Sequence, residues 1–375
     1  MAKTAKKRAR RQRGDEAVAA LQKAWMECPD CIDPWPKGAQ VRRINLALQG
    51  GGSHGAFAWG VLDRLLEDER IAIEGISGTS AGAVNGAVAA YGLTVGGRDK
   101  ARALLDELWQ RIASVAALTP LQPTPLDRML GVGRMDFSPG YWMLDTMARV
   151  LSPYQFNALS IDPLRDVVGS LVDFDVLRHC ETVKLFVGAT DIKRCRVKVF
   201  ELAEMSLDAV MASACLPFLH QAVEIDGEAY WDGGYSGNPA IFPLIYGTEA
   251  RDVLLVQINP INHDDVPTTA QGILDRLNTV TFNATLMREM RAIAFVTKLI
   301  DGGFDDEGRL KRLLIHVIEA EDEMRALGVS SKLNADWTFL QHLRDIGRAR
   351  AETWLGDNHR HLGKKSTVDI GEMFL

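Results

Sequence analysis

Two glycine-rich turns, each set between an apolar run and a helical pattern, constrain this chain more than any other feature. Leu46-Ala47-Leu48 runs toward Gly50-Gly51-Gly52, and Phe57, Val61, Leu62, Leu65 and Leu66 follow at helical spacing. A second apolar run, Ile71 to Ile76, leads into Gly78-Thr79-Ser80-Ala81-Gly82, and the small residues from Ala83 to Tyr91 predict a helix packed tightly on a sheet. GxSxG between a strand and a helix is the setting of a nucleophile elbow. A serine there sits in strained backbone, and Gly78 and Gly82 lack side chains where strand and helix approach. The helix that starts after Ser80 brings free N–H groups and partial positive charge toward a developing oxyanion. Gly51 and Gly52 offer further N–H donors, so both halves of an acyl-transfer site lie within about one βαβ unit. The competing reading is that the glycines only permit close packing. A phosphate loop is a poorer fit, because no Lys-Ser/Thr follows as in a P-loop and GGGSHG is not GxGxxG.

Four blocks stand in order along the chain: GGGSHG (50–55), GTSAG (78–82), ASACLP (212–217) and DGGYSGNP (232–239). Together they resemble the patatin-like phospholipases, over roughly Arg43 to Ile258. The resemblance implies a three-layer α/β/α sandwich around a mostly parallel sheet. It also implies hydrolysis of a lipid or other acyl ester by a Ser-Asp dyad, with no histidine, cofactor or metal. Carried over residue by residue, Ser80 is the nucleophile and Asp232 its base. Gly50, Gly51 and Gly52 form the oxyanion loop, with Ser53, Gly55 and Ala81 beside it, and Gly78, Gly82, Gly233 and Gly234 are the motif glycines. One departure is visible: His54 stands where many members carry Arg or Lys.

The proposed base raises a physical requirement. A free aspartate titrates near 3.9 and matches a serine hydroxyl poorly, so the site must raise that value. Desolvation against Trp231 and the glycine-lined loop is the expected cause. Activity should then rise with pH through the Asp232 titration.

Composition bounds the alternatives. With 375 residues, 47% hydrophobic and 25% charged, the chain reads as one large or two modest globular domains. No apolar run approaches the roughly twenty residues that span a bilayer, so the expected location is cytoplasmic with at most peripheral membrane contact. The first fourteen residues hold seven cations (Lys3, Lys6, Lys7, Arg8, Arg10, Arg11, Arg13) and no anion, leaving −13 on the remainder of a chain whose net charge is −6. No apolar segment follows as in a secretory signal. The plain reading is a disordered, solvated tail, and the sharper one is attraction to anionic headgroups. Without interleaved aromatics, the tail gives no reason to expect nucleic acid as a partner. Cys28 and Cys31 form a lone CxxC, read as incidental, and the odd total of five cysteines predicts a reducing compartment without disulfides. Oligomeric state has no signature in the sequence.

The expected organisation is a basic N-terminal segment (1–42), a catalytic unit (43–260) and a mostly helical extension (261–375). Within the catalytic unit, Arg98 to Arg111 predicts an amphipathic helix. A Pro-punctuated apolar insert (115–156) follows, read equally as a lid or as a helical subdomain. Val183 to Gly188 and Arg196 to Phe200 predict strands, the second at an edge, with a turn at Ala189-Thr190-Asp191. Ser206 to Ala214 predicts a helix whose Ser213 is not catalytic, and Val253 to Ile258 a buried strand. Beyond it come a helix from Gln271 to Ile300, a strand from Leu313 to Ile318, and helices around Ala335 to Leu355. Met287, Met290 and Phe295 are assigned to the core, and Arg344, Arg348, Arg350 and Lys364 to a solvated face.

Two other functions compete with the dyad. A Ser-His-Asp triad would use His263 or His316 as base. A catalytically idle lipid-surface or granule-binding protein would keep the fold without the chemistry.

Overall fold

The computed structural model describes residues 33–38, 41–130, 133–179, 182–304, 307 and 309–375. The basic tail, Cys28, Cys31 and Cys180 lie outside them. An eight-stranded sheet organises the chain. Its elements in order are β1 (Arg42–Leu48), α1 (Gly55–Glu67), β2 (Ile71–Thr79), α2 (Ala81–Ala116), α3 (Pro125–Leu130), α4 (Pro139–Val150), α5 (Pro153–Phe156), α6 (Pro163–Leu171), α7 (Phe174–His179), β3 (Lys184–Asp191) and β4 (Arg196–Phe200). Then follow α8 (Leu207–Ser213), β5 (Val223–Ile225), β6 (Glu228–Asp232), α9 (Phe242–Gly247), β7 (Asp252–Val256), α10 (Ala270–Asp301), β8 (Leu314–Ile318), α11 (Glu321–Ala326), α12 (Trp337–Asn358) and α13 (Ile370–Phe374).

The strand order is β5-β6-β3-β2-β1-β7-β8, with β4 paired to β3. From β3 through β8 all neighbours are parallel, whereas β4, β5 and β6 add an antiparallel margin. Alternate side chains of a strand face opposite sides, and the core divides accordingly. Ile44, Leu46 and Leu48 of β1 pack in one cluster with α1, α2 and α12, while Ala47 joins Val253, Leu255 and Ile315 against α10 on the other face. The result is the expected three-layer α/β/α arrangement around a mostly parallel sheet.

The sheet continues beyond residue 260, since β8 pairs with β7 from Asp252↔Leu314 to Val256↔Ile318. α12 covers α1 at close range: a Cβ on Gly60 would meet the Arg344 carbonyl, and one on Gly347 would meet the Phe57 carbonyl. Trp59 stacks between Trp109 and Trp337, with ring centroids at 6.3 and 6.0 Å. Arg344 lies over the Trp59 ring at 5.1 Å, and Arg348 binds Glu67 at 3.0 Å and also pairs with Asp63. These two arginines therefore bridge helices instead of facing only solvent.

The helices predicted at 83–91 and 98–111 are both present, as two segments of α2 that meet at Gly97, whose φ of 74° and ψ of −159° are not helical. Other local expectations are corrected. Ala189-Thr190-Asp191 is strand, held by pairing to both β4 and β6, and the chain turns at Ile192–Cys195 instead. Phe295 is 62% exposed, whereas Met290 is fully buried. The insert is helical through α3, α4 and α5, yet Trp142, Met143 and Tyr154 remain at least half exposed. Among the described residues no helix is long and apolar enough to cross a membrane.

Candidate active site

Sheet register accounts for why residues far apart in sequence meet. β2 ends with Thr79 opposite Gly188, and β6 ends with Asp232 opposite the next β3 residue, Ala189. The two strand ends thus converge on consecutive positions of β3, and a Cβ on Gly233 would lie 3.0 Å from Thr79 Cγ2. Thr190 Oγ1 fixes the end of β6 by donating to the Asp232 carbonyl at 2.7 Å.

Ser80 follows β2 with φ 54° and ψ −123°. Non-glycine residues rarely adopt positive φ, and such strain persists only where the surroundings impose it. Here a Cβ on Gly78 would lie 2.5 Å from the Gly82 carbonyl oxygen, so the turn closes only with glycine at that position. The Ser80 N–H donates to Ser213 Oγ at 2.9 Å, and Ser213 Oγ donates to the Gly188 carbonyl at 2.6 Å. Ser213 therefore has a positioning role that the sequence did not reveal. Ser80 is itself buried and stands at the start of α2, where the Ala81 N–H has no intrahelical acceptor.

The triple-glycine turn packs against this elbow. A Cβ on Gly50 would lie 2.7 Å from Ser80 Cβ, and one on Gly55 would lie 2.6 Å from Ala81 Cβ. The Gly50 N–H is taken by Asn238 Oδ1 at 2.7 Å, so it is not available to an oxyanion. Among the described residues no hydrogen bond takes up the N–H of Gly51 or Gly52. Gly52, at φ 60°, is exposed, and Ser53 is buried in the short turn Gly52–His54. Gly234 lies beneath the Phe282 ring, and its N–H donates to Asp232 Oδ1 at 2.7 Å.

Asp232 is fully buried, and burial raises its pKa to about 6. The Gly234 N–H, the Ser80 hydroxyl and the Lys332 charge act in the opposite direction. Oδ2 of Asp232 has no partner at hydrogen-bond geometry among the described residues, so the Ser80 interaction is not a fully formed hydrogen bond. Contacts of this kind commonly tighten only when substrate is bound. Trp231 is not the expected source of desolvation, since neighbouring residues of a strand point to opposite faces. Cys215 and Tyr235 feel the Asp232 charge instead, and their own protons are each held up to about 12, chiefly by burial.

His54 lies buried with Nε2 at 2.7 Å from Ser331 Oγ, and burial together with Lys332 depresses its pKa to about 3. It is neutral at physiological pH and supplies no cation to the glycine loop. His316 is bound elsewhere in the sheet, to Asp252 Oδ1 and Thr367 Oγ1, both at 3.0 Å. His263 is lowered by burial, with Arg276, Arg325, Asp265 and Glu321 as its charged surroundings.

No curated protein sequence gives a significant match to the chain. Among solved structures it is similar to VipD from Legionella pneumophila, with 15% identity and TM-score 0.35, covering 82% of this chain and 67% of that one. It is also similar to the ExoU-SpcU complex from the type III secretion system of Pseudomonas aeruginosa, with 16% identity and TM-score 0.30, covering 86% of this chain and 52% of that one. The chain thus spans about two thirds of the first and half of the second. The model of the patatin-like phospholipases matches residues 46–245, from β1 to α9 and through all four sequence blocks, and the chain belongs to that family of lipid acyl hydrolases.

Proposed function

We propose that the chain hydrolyses a lipid acyl ester through a Ser80–Asp232 dyad. The observation that carries this reading is the convergence of β2 and β6 on adjacent positions of β3. That convergence supports a strained serine beside a buried carboxylate that has one unpartnered oxygen.

The steps follow from the chemistry of these groups. Ser80 Oγ attacks the ester carbonyl while Asp232 accepts its proton. The tetrahedral oxyanion is received by the N–H groups of Gly51, Gly52 and Ala81 and by the positive end of α2. Asp232 returns the proton to the departing alcohol, and a water activated in the same way releases the acyl group from Ser80.

Phospholipid is the proposed substrate class, in keeping with the family's description. Peripheral attraction of the basic N-terminal segment to anionic headgroups would bring the site to its substrate, at about 1 kcal/mol per cation near the surface. Ser80→Ala and Asp232→Asn should each abolish release of fatty acid from phospholipid vesicles. Profiling headgroups and chain lengths, with neutral lipids and short esters alongside, identifies the preferred substrate. Near wild-type turnover by either variant would refute the dyad, and failure of a fluorophosphonate to label Ser80 would favour the idle lipid-surface protein.

A further inference from the structure

Lys332 lies on the short turn Val329–Leu333, far beyond the family blocks, yet it meets the glycine loop. A Cβ on Gly52 would run into the Lys332 carbonyl. Although the residue as a whole is half-buried, its ammonium end lies inside, 5.6 Å from the centre of the Phe282 ring. Lys332 Nζ donates to Asn259 Oδ1 at 3.0 Å. Asn259 is itself buried, and its Nδ2 donates to the Gly50 carbonyl at 2.9 Å and to Gln49 Oε1 at 3.3 Å.

The Gly50 carbonyl and the Gly51 N–H belong to one planar trans peptide, so their directions are opposed. Fixing the carbonyl toward Asn259 fixes the N–H toward the other side. Asn238 holds the preceding peptide by its N–H, so the Gly50 backbone is clamped on both sides. A cation on Asn259 Oδ1 also polarises the amide and strengthens its donation to Gly50.

We infer that Lys332 and Asn259 are positioning residues of the acyl-transfer site: the ammonium, acting through the Asn259 amide, fixes the Gly50–Gly51 peptide so that the Gly51 N–H is presented to the oxyanion. Lys332 thereby supplies the positive charge that neutral His54 does not. The inference rests on the Ser80–Asp232 reading. The charged and titratable groups that face Lys332 are Asp275 on α10, Asp232 on β6 and His54 in the glycine turn. Burial lowers the Lys332 pKa to about 8, against the two aspartates.

The test is a set of pH profiles of kcat and KM from pH 5 to 10 on a soluble ester, for wild type, Lys332→Met, Lys332→Arg and Asn259→Ala. The wild-type kcat/KM should decline above about pH 8. Lys332→Met should lower kcat by about 10- to 100-fold with KM little changed, less than the roughly 100- to 1000-fold seen when an oxyanion donor is removed outright, because the Gly51 N–H is misaligned and not deleted. It should also lose the alkaline limb, and its acid limb should move to higher pH because the charge that favours the Asp232 carboxylate is gone. Asn259→Ala should lower kcat comparably. Lys332→Arg should retain most of kcat and carry the alkaline limb beyond pH 10, since a guanidinium stays charged. Wild-type kcat in Lys332→Met overturns the inference, and so does an unmoved alkaline limb in a folded Lys332→Arg. If Ser80→Ala is inactive while the Lys332 variants match wild type, the relay alone fails. If Ser80→Ala is active, the dyad fails and the relay with it.

Discussion

Ester hydrolysis by this chain should fall about tenfold between pH 7 and pH 5, and Asp232 is the reason. Burial holds its carboxyl at about 6 instead of 3.8. The ionised fraction is then about nine tenths at pH 7 and about one tenth at pH 5, and kcat/KM follows the ionised base of the free enzyme. An aspartate at its ordinary value would still be more than about nine-tenths ionised at pH 5, so it would lose less than about a tenth of its rate over the same interval. The assay is initial velocity on a soluble nitrophenyl ester from pH 4.5 to 7.5, with Ser80→Ala as the blank and circular dichroism to exclude unfolding. An inflection near pH 6 is expected in wild type. A flat profile down to pH 5 in folded protein would refute the claim that a desolvated Asp232 is the base.

The same burial has a consequence for stability. Because the folded-state pKa of Asp232 lies above its unfolded value, its contribution is most favourable below about pH 4 and is lost as pH rises through about 6. Asp232→Asn should therefore stabilise the fold by on the order of 1–3 kcal/mol at pH 7.5 in urea titrations, with the gain shrinking below pH 5. Gly60→Ala and Gly347→Ala place methyl groups on facing backbone carbonyls that cannot rotate away, and each should lower stability by about 1–3 kcal/mol despite better helix propensity. His316→Ala should cost about 1–3 kcal/mol by leaving buried Asp252 without its imidazole, yet both it and His263→Ala should remain active. Deleting residues 1–14 should weaken sedimentation with anionic vesicles at low salt, and an unchanged bound fraction would remove the proposed role of the tail.

The parts of the fold that were legible in the sequence are those written in local pattern. The strand–glycine–helix units at 45–92 specify their own turns, and the four blocks assign the family without reference to distant contacts. Features set by tertiary packing were not legible. Ala189–Asp191 stays extended because two antiparallel partners reach it, which neither its composition nor its spacing reveals. Phe295 sits within a helical pattern whose apolar face is not fully covered, and periodicity cannot distinguish the two cases. In the candidate site, Ser80 and Asp232 come from motif blocks, whereas Asn259 and Lys332 come from ordinary-looking segments. Only the pairing of β7 with β1, and the approach of the 329–333 turn to Gly52, gives those two residues a place. His54 marked the gap in the sequence, but nothing local indicated which residue fills it.

Labelling by a fluorophosphonate tests the central claim most directly. The modified peptide should contain Ser80 and no other labelled residue, and the labelling rate of folded Asp232→Asn should fall by at least about a hundredfold, within the range for losing a general base. Wild-type labelling in Asp232→Asn, or a label on a different residue, would contradict the proposed pairing of the buried carboxylate with the strained serine.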